Sequence, residues 1–379
     1  MKYSKISKII DDAKTGKIFI LVDDEQRENE GDLIVPASKI NPKIINFMAK
    51  YGRGLICLTL CQKKADKLSL PLMSANNISR SQTAFTVSID AKKGITTGIS
   101  AHDRSHTIKT ILTKNVSSYD FVTPGHIFPI VAKNGGVLVR AGHTEASVDI
   151  AKLANKNPAA VICEIMNDDG TMAKGKQLFN FAKKHRLKIG KIDDLIAYRL
   201  AKENFIKLKK TSIIKIDKQN YNIKIFENSL DGSESFALIK GDINNSKSPR
   251  VRVISSNIVK NYLLGQKLPN SFKQTISYFK NYNDCVLIFI RDTNLKSVSD
   301  VLKNYKDKEF YKKGTDKLIK NYGIGAQIIK ALGIKKMILV TSSRKKVVGL
   351  DGYGIKIVKQ DIIKWKKKFV LLTQTFILK

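Results

Sequence analysis

Apolar residues gather in short blocks at 18–22, 55–60, 83–89 and 161–165, with stretches between them whose apolar positions repeat at helical spacing. Blocks of that length, bounded by glycine or charge, read as buried strands. Their alternation with helical patterns predicts an α/β domain, with a mixed sheet in α+β layers, rather than a helix bundle. Strand-like blocks return at 212–216, 221–226, 236–239 and 285–290, residues 319–332 turn helical, and 337–340 is strand-like again. The lysine-rich, glycine-free stretch 202–210 separates the two series and predicts two domains, 1–205 and 206–379. No internal repeat is visible.

Three polar segments interrupt the pattern in the first half. Residues 24–32 (DEQRENEGD) place carboxylates around one arginine directly after the 18–22 strand. If that segment is extended, Glu28, Glu30 and Asp32 share a side, because strand side chains repeat every second residue. Carboxylates crowded in this way suit a hard divalent cation, or a proton-transfer site in which neighbours hold different protonation states. Residues 94–104 (GITTGISAHDR) carry Ser100 three residues before Asp103, a helix start with Ile108, Ile111 and Leu112 as its apolar face. Thr96, Thr97 and Gly98 just ahead of it fit either an anion dock at a helix N-terminus or a plain cap. Residues 140–145 (RAGHTE) follow the apolar run 137–139 and precede Val148, Ile150, Ala151 and Leu153, so they read as strand, glycine turn, helix. Arg140 could fork onto a phosphate there, Thr144 could add its hydroxyl and N–H, and His143 could bind a metal through one ring nitrogen. His126 sits between Pro124 and Pro129 in what reads as a rigid loop. Glu164, at a strand end beside the turn 167–170, is well placed as a general base.

Composition narrows the class. All five histidines precede residue 186, and 42% hydrophobic content over 379 residues suits two globular cores. No apolar stretch approaches the ~20 residues of a membrane span. Residues 1–16 lack the apolar block of a signal peptide, so a cytoplasmic location is expected. Four cysteines without paired spacing beyond Cys57 and Cys61 predict reduced thiols. The formal charge of +35 would ordinarily suggest nucleic acid, yet the lysines are scattered and the only dense run is 364–368, so no nucleic-acid partner is expected. Arginine is scarce, and Arg27, Arg104 and Arg140 fall in the polar segments, with Arg53 just ahead of the 55–60 block. Lysine cannot copy their bidentate fork.

The first half resembles 3,4-dihydroxy-2-butanone-4-phosphate synthase, through DDEQRENEGDLI (23–34), RGLICLTL (53–60), GITTGISAHDR (94–104), PGHIFP (124–129), RAGHTEASVD (140–149) and VICEIMNDDG (161–170). The resemblance implies an enzyme of riboflavin biosynthesis that converts ribulose 5-phosphate to 3,4-dihydroxy-2-butanone 4-phosphate and formate with Mg2+ or Mn2+. It implies Glu28 and His143 as metal ligands, and Arg27, Asp32, Arg140, Ala141, Gly142, His143 and Thr144 as substrate-binding residues. Glu28 and Glu164 would also touch substrate, His126 and Glu164 would be the essential acid/base pair, and the protein would be a homodimer with sites near the subunit interface.

The second half resembles the GTP cyclohydrolase II domain fused behind such synthases, through residues 321–329 (NYGIGAQII) and 346–354 (KVVGLDGYG). That family's activity needs three cysteines on zinc. Here Asn257 stands at the first position, Lys267 to Asn270 lack the others, and Cys285 is the half's only cysteine, without a histidine to substitute. No zinc is expected, since a site of ordinary composition cannot be assembled. Arg291 is retained, but residues 292–296 replace the polar loop expected beside GTP. The half therefore reads as a cyclohydrolase-derived domain that has lost catalysis, the alternative being a bifunctional enzyme that also hydrolyses GTP.

Overall fold

A computed structural model describes residues 2–25, 27–74, 76–78, 83–256, 268–291, 315–343 and 350–363. Asn257, Lys267 and the segments 292–296, 346–349 and 364–368 singled out above lie outside them. The chain divides into two compact units, Met1–Glu203 with Lys313–Lys320, and Asn204–Lys312 with Asn321–Lys379.

The first unit runs α1 (Ile6–Thr15), β1 (Phe19–Val22), β2 (Gly31–Pro36), α2 (Pro42–Phe47), β3 (Cys57–Cys61), α3 (Gln62–Lys67), β4 (Ile89–Ala91), α4 (Ala101–Ile111), β5 (Phe121–Ala132), α5 (His143–Leu153), β6 (Ala159–Glu164), α6 (Lys176–Lys184), β7 (Lys188–Lys191) and α7 (Ile192–Lys202). Its seven strands form one mixed sheet in the order β4-β5-β3-β6-β2-β1-β7. The sheet is covered on both faces, which is why β1 and β2 are buried at every position and carry no polar alternation. Leu33, Val35, Leu58, Leu60, Val161 and Cys163 belong to the main core cluster on one face, with Ile108 and Ile111 of α4. Successive side chains alternate. Asp32, Ile34, Thr59, Ala160, Ile162 and Glu164 therefore take the other face, where α5 lies.

Helix α5 is buried from His143 through Ala151, polar residues included. Each buried polar side chain needs a partner there. Ser147 Oγ lies 2.8 Å from Thr59 Oγ1, Glu145 accepts from Lys133 N at 3.0 Å, and Asp149 accepts from Arg199 Nη1 of α7 at 2.8 Å.

The second unit runs β8 (Ile206–Ile216), β9 (Gln219–Asn228), β10 (Glu234–Lys240), β11 (Arg250–Ser256), α8 (Leu268–Phe279), β12 (Cys285–Arg291), α9 (Thr315–Ala331, of which it takes the part from Asn321 on), β13 (Lys336–Thr341) and β14 (Lys356–Ile362). These strands form a second sheet, β14-β13-β11-β12-β10-β9-β8, parallel from β14 to β12 and antiparallel from β12 to β8. Val286, Ile288 and Ile290 join one core cluster with Ala326 and Ile329 of α9, while Cys285 and Leu287 join another with Ile276 and Phe279 of α8. One helix therefore packs on each face, and period-two alternation along β12 supplies both cores.

Several expectations change. The run 137–139 is not a strand: Gly136–Leu138 is a 3-10 turn, and Val139 N and Arg140 N both bond back to the Gly136 carbonyl at 2.9 and 3.0 Å. The expected loop around His126 lies inside the twelve-residue strand β5. Of block 83–89, only isolated bridges at Phe85 and Thr86 and the first residue of β4 are strand-like. Residues 202–210 hold the end of α7 and the start of β8. All four cysteines are free.

Candidate active site

The turn between β1 and β2, the start of α5 and the end of β6 enclose a cavity of about 580 Å3 lined by Arg27, Glu28, Glu30, Asp32, Thr83, Arg140, His143, Thr144 and Glu164, among others. Glu28 sits in a turn rather than an extended segment, yet it converges with Glu30 and Asp32 on the cavity as the acidic pattern suggested. Ala141 and Gly142 form the turn into α5 and do not line the cavity. Gly142 is needed there because a Cβ would stand 2.6 Å from Arg140 Nη1 and 3.0 Å from Glu145 Oε2.

Asp23, Glu28 and His143 bring one donor atom each within 4.8 Å of one another. Asp23 belongs to the 23–34 motif but drew no role from the sequence. Its signal was its place, the first residue after a fully buried strand. His143 Nε2 lies 3.2 Å from the carbonyl of Leu21. A carbonyl can only accept, so Nε2 carries the proton and Nδ1 keeps its lone pair. Burial pushes the His143 imidazole below its ordinary pKa, which keeps the ring neutral. Arg27 Nη1 donates to Asp23 Oδ2 at 2.6 Å and to Glu28 Oε2 at 2.7 Å, placing a cation beside two of the three donors. The donor set is chemically suited to a hard divalent ion.

Asp32 and Glu164 are directly opposite each other on the antiparallel pair β2 and β6. Facing carboxylates at such a position repel. Asp32 is 3% exposed, and burial, then the charges of Glu164, Asp23, Glu28 and Glu30, push its pKa well above the carboxylate range. Glu164 Oε2 accepts from Leu55 N at 2.8 Å. Burial and Glu28 also raise Glu30.

Arg140 Nη1 donates to the buried Glu145 at 2.6 Å and Nη2 to Thr83 Oγ1 at 3.1 Å. Its guanidinium is thereby held at the cavity wall. Gly142, the N-cap of α5, offers no side chain to its first turn, so the helix start that carries His143 and Thr144 meets the cavity without a side-chain cap.

His126 does not line the cavity. Phe128 and Ile162 both pair with Cys57 of β3, which puts His126 and Glu164 on flanking strands at one end of the sheet, about 10 Å apart by strand spacing. Its Nδ1 lies 2.7 Å from Asp90, a residue no motif reading flagged.

The two readings of 94–104 are now separated. Ser100 caps α4 by accepting from Asp103 N at 3.0 Å. The Asp103 carboxylate takes Thr96 Oγ1 at 2.7 Å and Gly98 N at 3.2 Å, so an anion of the chain itself already fills that place.

Residues 7–198 match the family model for 3,4-dihydroxy-2-butanone 4-phosphate synthase. The chain belongs to that family. Residues 209–361 match the model for GTP cyclohydrolase II. The chain is similar to the riboflavin biosynthesis protein RibBA of Aquifex aeolicus, 41% identical with 96% of this chain and 93% of that protein covered. It is 39% identical to a 3,4-dihydroxy-2-butanone 4-phosphate synthase of Photobacterium phosphoreum, with 95% and 99% covered. Among solved structures, RibBX of A. baumannii, a two domain 3,4-dihydroxy-2-butanone 4-phosphate synthase, aligns with TM-score 0.81 at 36% identity over 95% of this chain and 100% of that one. A synthase in complex with two magnesium ions aligns with TM-score 0.50 at 38% identity over 52% of this chain and 96% of its own. Membership makes the chain a 3,4-dihydroxy-2-butanone 4-phosphate synthase of riboflavin biosynthesis with a cyclohydrolase II-like second domain, on two mixed α/β sheets. No described helix is long and apolar enough to cross a membrane.

Proposed function

We propose that the first domain, residues 1–205, converts ribulose 5-phosphate to 3,4-dihydroxy-2-butanone 4-phosphate and formate in the 580 Å3 cavity. The observation that carries this reading is the convergence of Asp23, Glu28 and His143 beside the Asp32–Glu164 carboxylate pair. Glu28 and His143, with Asp23, would hold Mg2+ or Mn2+, which when bound would supply Lewis-acid stabilisation of negative charge on the ketose. The magnesium-bound synthase among the structural neighbours supports the choice of ion.

The chain's own groups do the rest. Arg140 and Thr144, at the start of α5, receive the sugar phosphate, with helix N–H groups favouring its charge. Arg27 adds a second cation on the same wall. Asp32, its proton held by burial, donates, and Glu164, anchored through Leu55 N, accepts a carbon-bound proton. Water loss and formate release need a further proton carrier, the role given to His126. Its side chain is 40% exposed and its strand position lies about 10 Å from that of Glu164, and a homodimer with sites near the subunit interface is the arrangement proposed to bring it to substrate.

In the second domain, residues 206–379, we propose lost catalysis and no zinc, in a protein that works in the cytoplasm. Cys285, the half's only cysteine, is fully buried in β12, and burial pushes its thiol up to about 12, far from a metal-binding thiolate. The reading that this half still hydrolyses GTP has no donor set behind it among the described residues. Arg140→Lys is the direct test of the phosphate clamp: KM for ribulose 5-phosphate should rise on the order of tenfold or more, as a point charge replaces a fork. Arg186→Lys, outside every motif, should leave KM unchanged. Equal effects at both would make the dependence general electrostatics.

A further inference from the structure

We infer that Asp90 is a positioning residue for His126, fixing the imidazole with its proton on Nδ1 so that Nε2 is the nitrogen that exchanges protons during turnover. This inference rests on the proposed acid/base role of His126 and deepens it.

The carboxylate grips the histidine at two points. Asp90 Oδ2 lies 2.7 Å from His126 Nδ1, and Oδ1 accepts from the backbone N of the same residue at 3.0 Å. A carboxylate that took only the ring would leave the ring free to swing about its Cα. Holding main chain and ring together removes that freedom. Asp90 is 4% exposed, while the histidine side chain is 40% exposed, so the buried partner holds the accessible one. An ionised carboxylate can only accept, which puts the ring proton on Nδ1.

The surroundings are built around this contact. Ile89 pairs with Ile127, so in that antiparallel register Asp90 stands opposite His126, and its carboxylate meets that residue although beyond a register shift its backbone pairs with Val122. Gly125 N is held by Ser88 Oγ at 3.1 Å, and Ala91 N by the buried Thr107 Oγ1 of α4 at 3.0 Å, so both backbones beside the pair are tied down. Gly98 closes it from above. With φ at +94°, a Cβ there would overlap Asp90 Oδ2 and stand 2.6 Å from His126 Nδ1. The Asp103 carboxylate that holds Thr96 and Gly98 N is therefore the staple of a lid over the pair, which gives the 94–104 motif a purpose its sequence did not disclose.

Formate release from ribulose 5-phosphate by the magnesium-loaded full chain tests this with Asp90→Asn, His126→Ala and the double variant. Asp90→Asn keeps the shape but can hold the ring in the other tautomer, so kcat should fall on the order of 100-fold with KM within about twofold. Combined with His126→Ala it should cost nothing further, because its effect passes through that ring. Histidine 15N spectra of the unsubstituted protein should show His126 protonated at Nδ1, a readout that survives even if Asp90→Asn folds poorly. A wild-type kcat for Asp90→Asn, losses that multiply in the double variant, or an Nε2–H tautomer would each overturn the positioning role while leaving His126 in place. A wild-type kcat for His126→Ala would remove the role proposed for the histidine, and this inference with it.

Discussion

At the scale of single residues, the cavity is a place where charge is held against its preference. Asp32 lies under Glu164, beside Glu28 and Glu30, and 3.8 Å from His143 Nδ1, too far for a hydrogen bond. Its folded pKa is raised, so the folded state binds its proton more tightly than the unfolded chain does. The stability this gives is full below the ordinary carboxylate value of 3.8 and is lost as pH rises through the folded pKa. Asp32→Asn should therefore raise the Tm of the metal-free protein at pH 7 by about 2–4 °C, a shift that shrinks toward pH 4, while abolishing most turnover. Melting curves at the two pH values decide it: an unchanged or lower Tm at pH 7 would mean that the carboxylate is not under strain. Much of this site was legible in the chain. Glu28, Glu30 and Asp32 stand out because carboxylates crowded after a buried strand are locally abnormal, and Arg140, His143 and Thr144 because they bracket a glycine turn that opens a helix. Asp23 and Asp90 do not, since each acquires its meaning from a partner distant in space, His143 or His126, that no local pattern reveals.

At the scale of elements, short apolar blocks proved dependable where the sheet is covered on both sides, as at β1 and β6, and undependable where glycines cut them short. Residues 137–139 and the proline-bracketed segment around His126 were misread for opposite reasons. In 137–139 the backbone closes on itself, Val139 N and Arg140 N both reaching the Gly136 carbonyl, whereas prolines are tolerated in β5 because its neighbour β4 spans only three residues. The loop 94–100 offers the sharpest test of an element's purpose. Gly98→Ala combines positive φ with overlap on the Asp90–His126 pair, and should lose roughly 1–3 kcal/mol of stability together with most of kcat. Gly170→Ala shares a positive φ, +84°, but meets nothing within 4 Å, so it isolates the backbone penalty. Denaturant titrations and kcat for the two variants should differ clearly. Matching losses would show that the loop is merely strained rather than packed on the pair.

At the scale of the whole molecule, the chain joins a domain whose polar residues converge on one cavity to a domain with a single cysteine and no histidine. The apolar alternation of β10 and β12 maintains two cores in the second unit. Purified protein should hold no stoichiometric zinc and leave GTP intact, checked by metal analysis and by formate release from GTP. Turnover abolished by a zinc chelator would reverse that reading. The activity proposed for the first unit is decided by formate released from ribulose 5-phosphate by the full chain, with magnesium, with a chelator, and with Glu28→Gln in magnesium. The account predicts one formate per ribulose 5-phosphate consumed with magnesium, and almost none in the other two arms, because a neutral amide keeps the shape of Glu28 but loses the charge that holds the ion. Formate at an undiminished rate from Glu28→Gln, or none from the unsubstituted protein with magnesium, would contradict it.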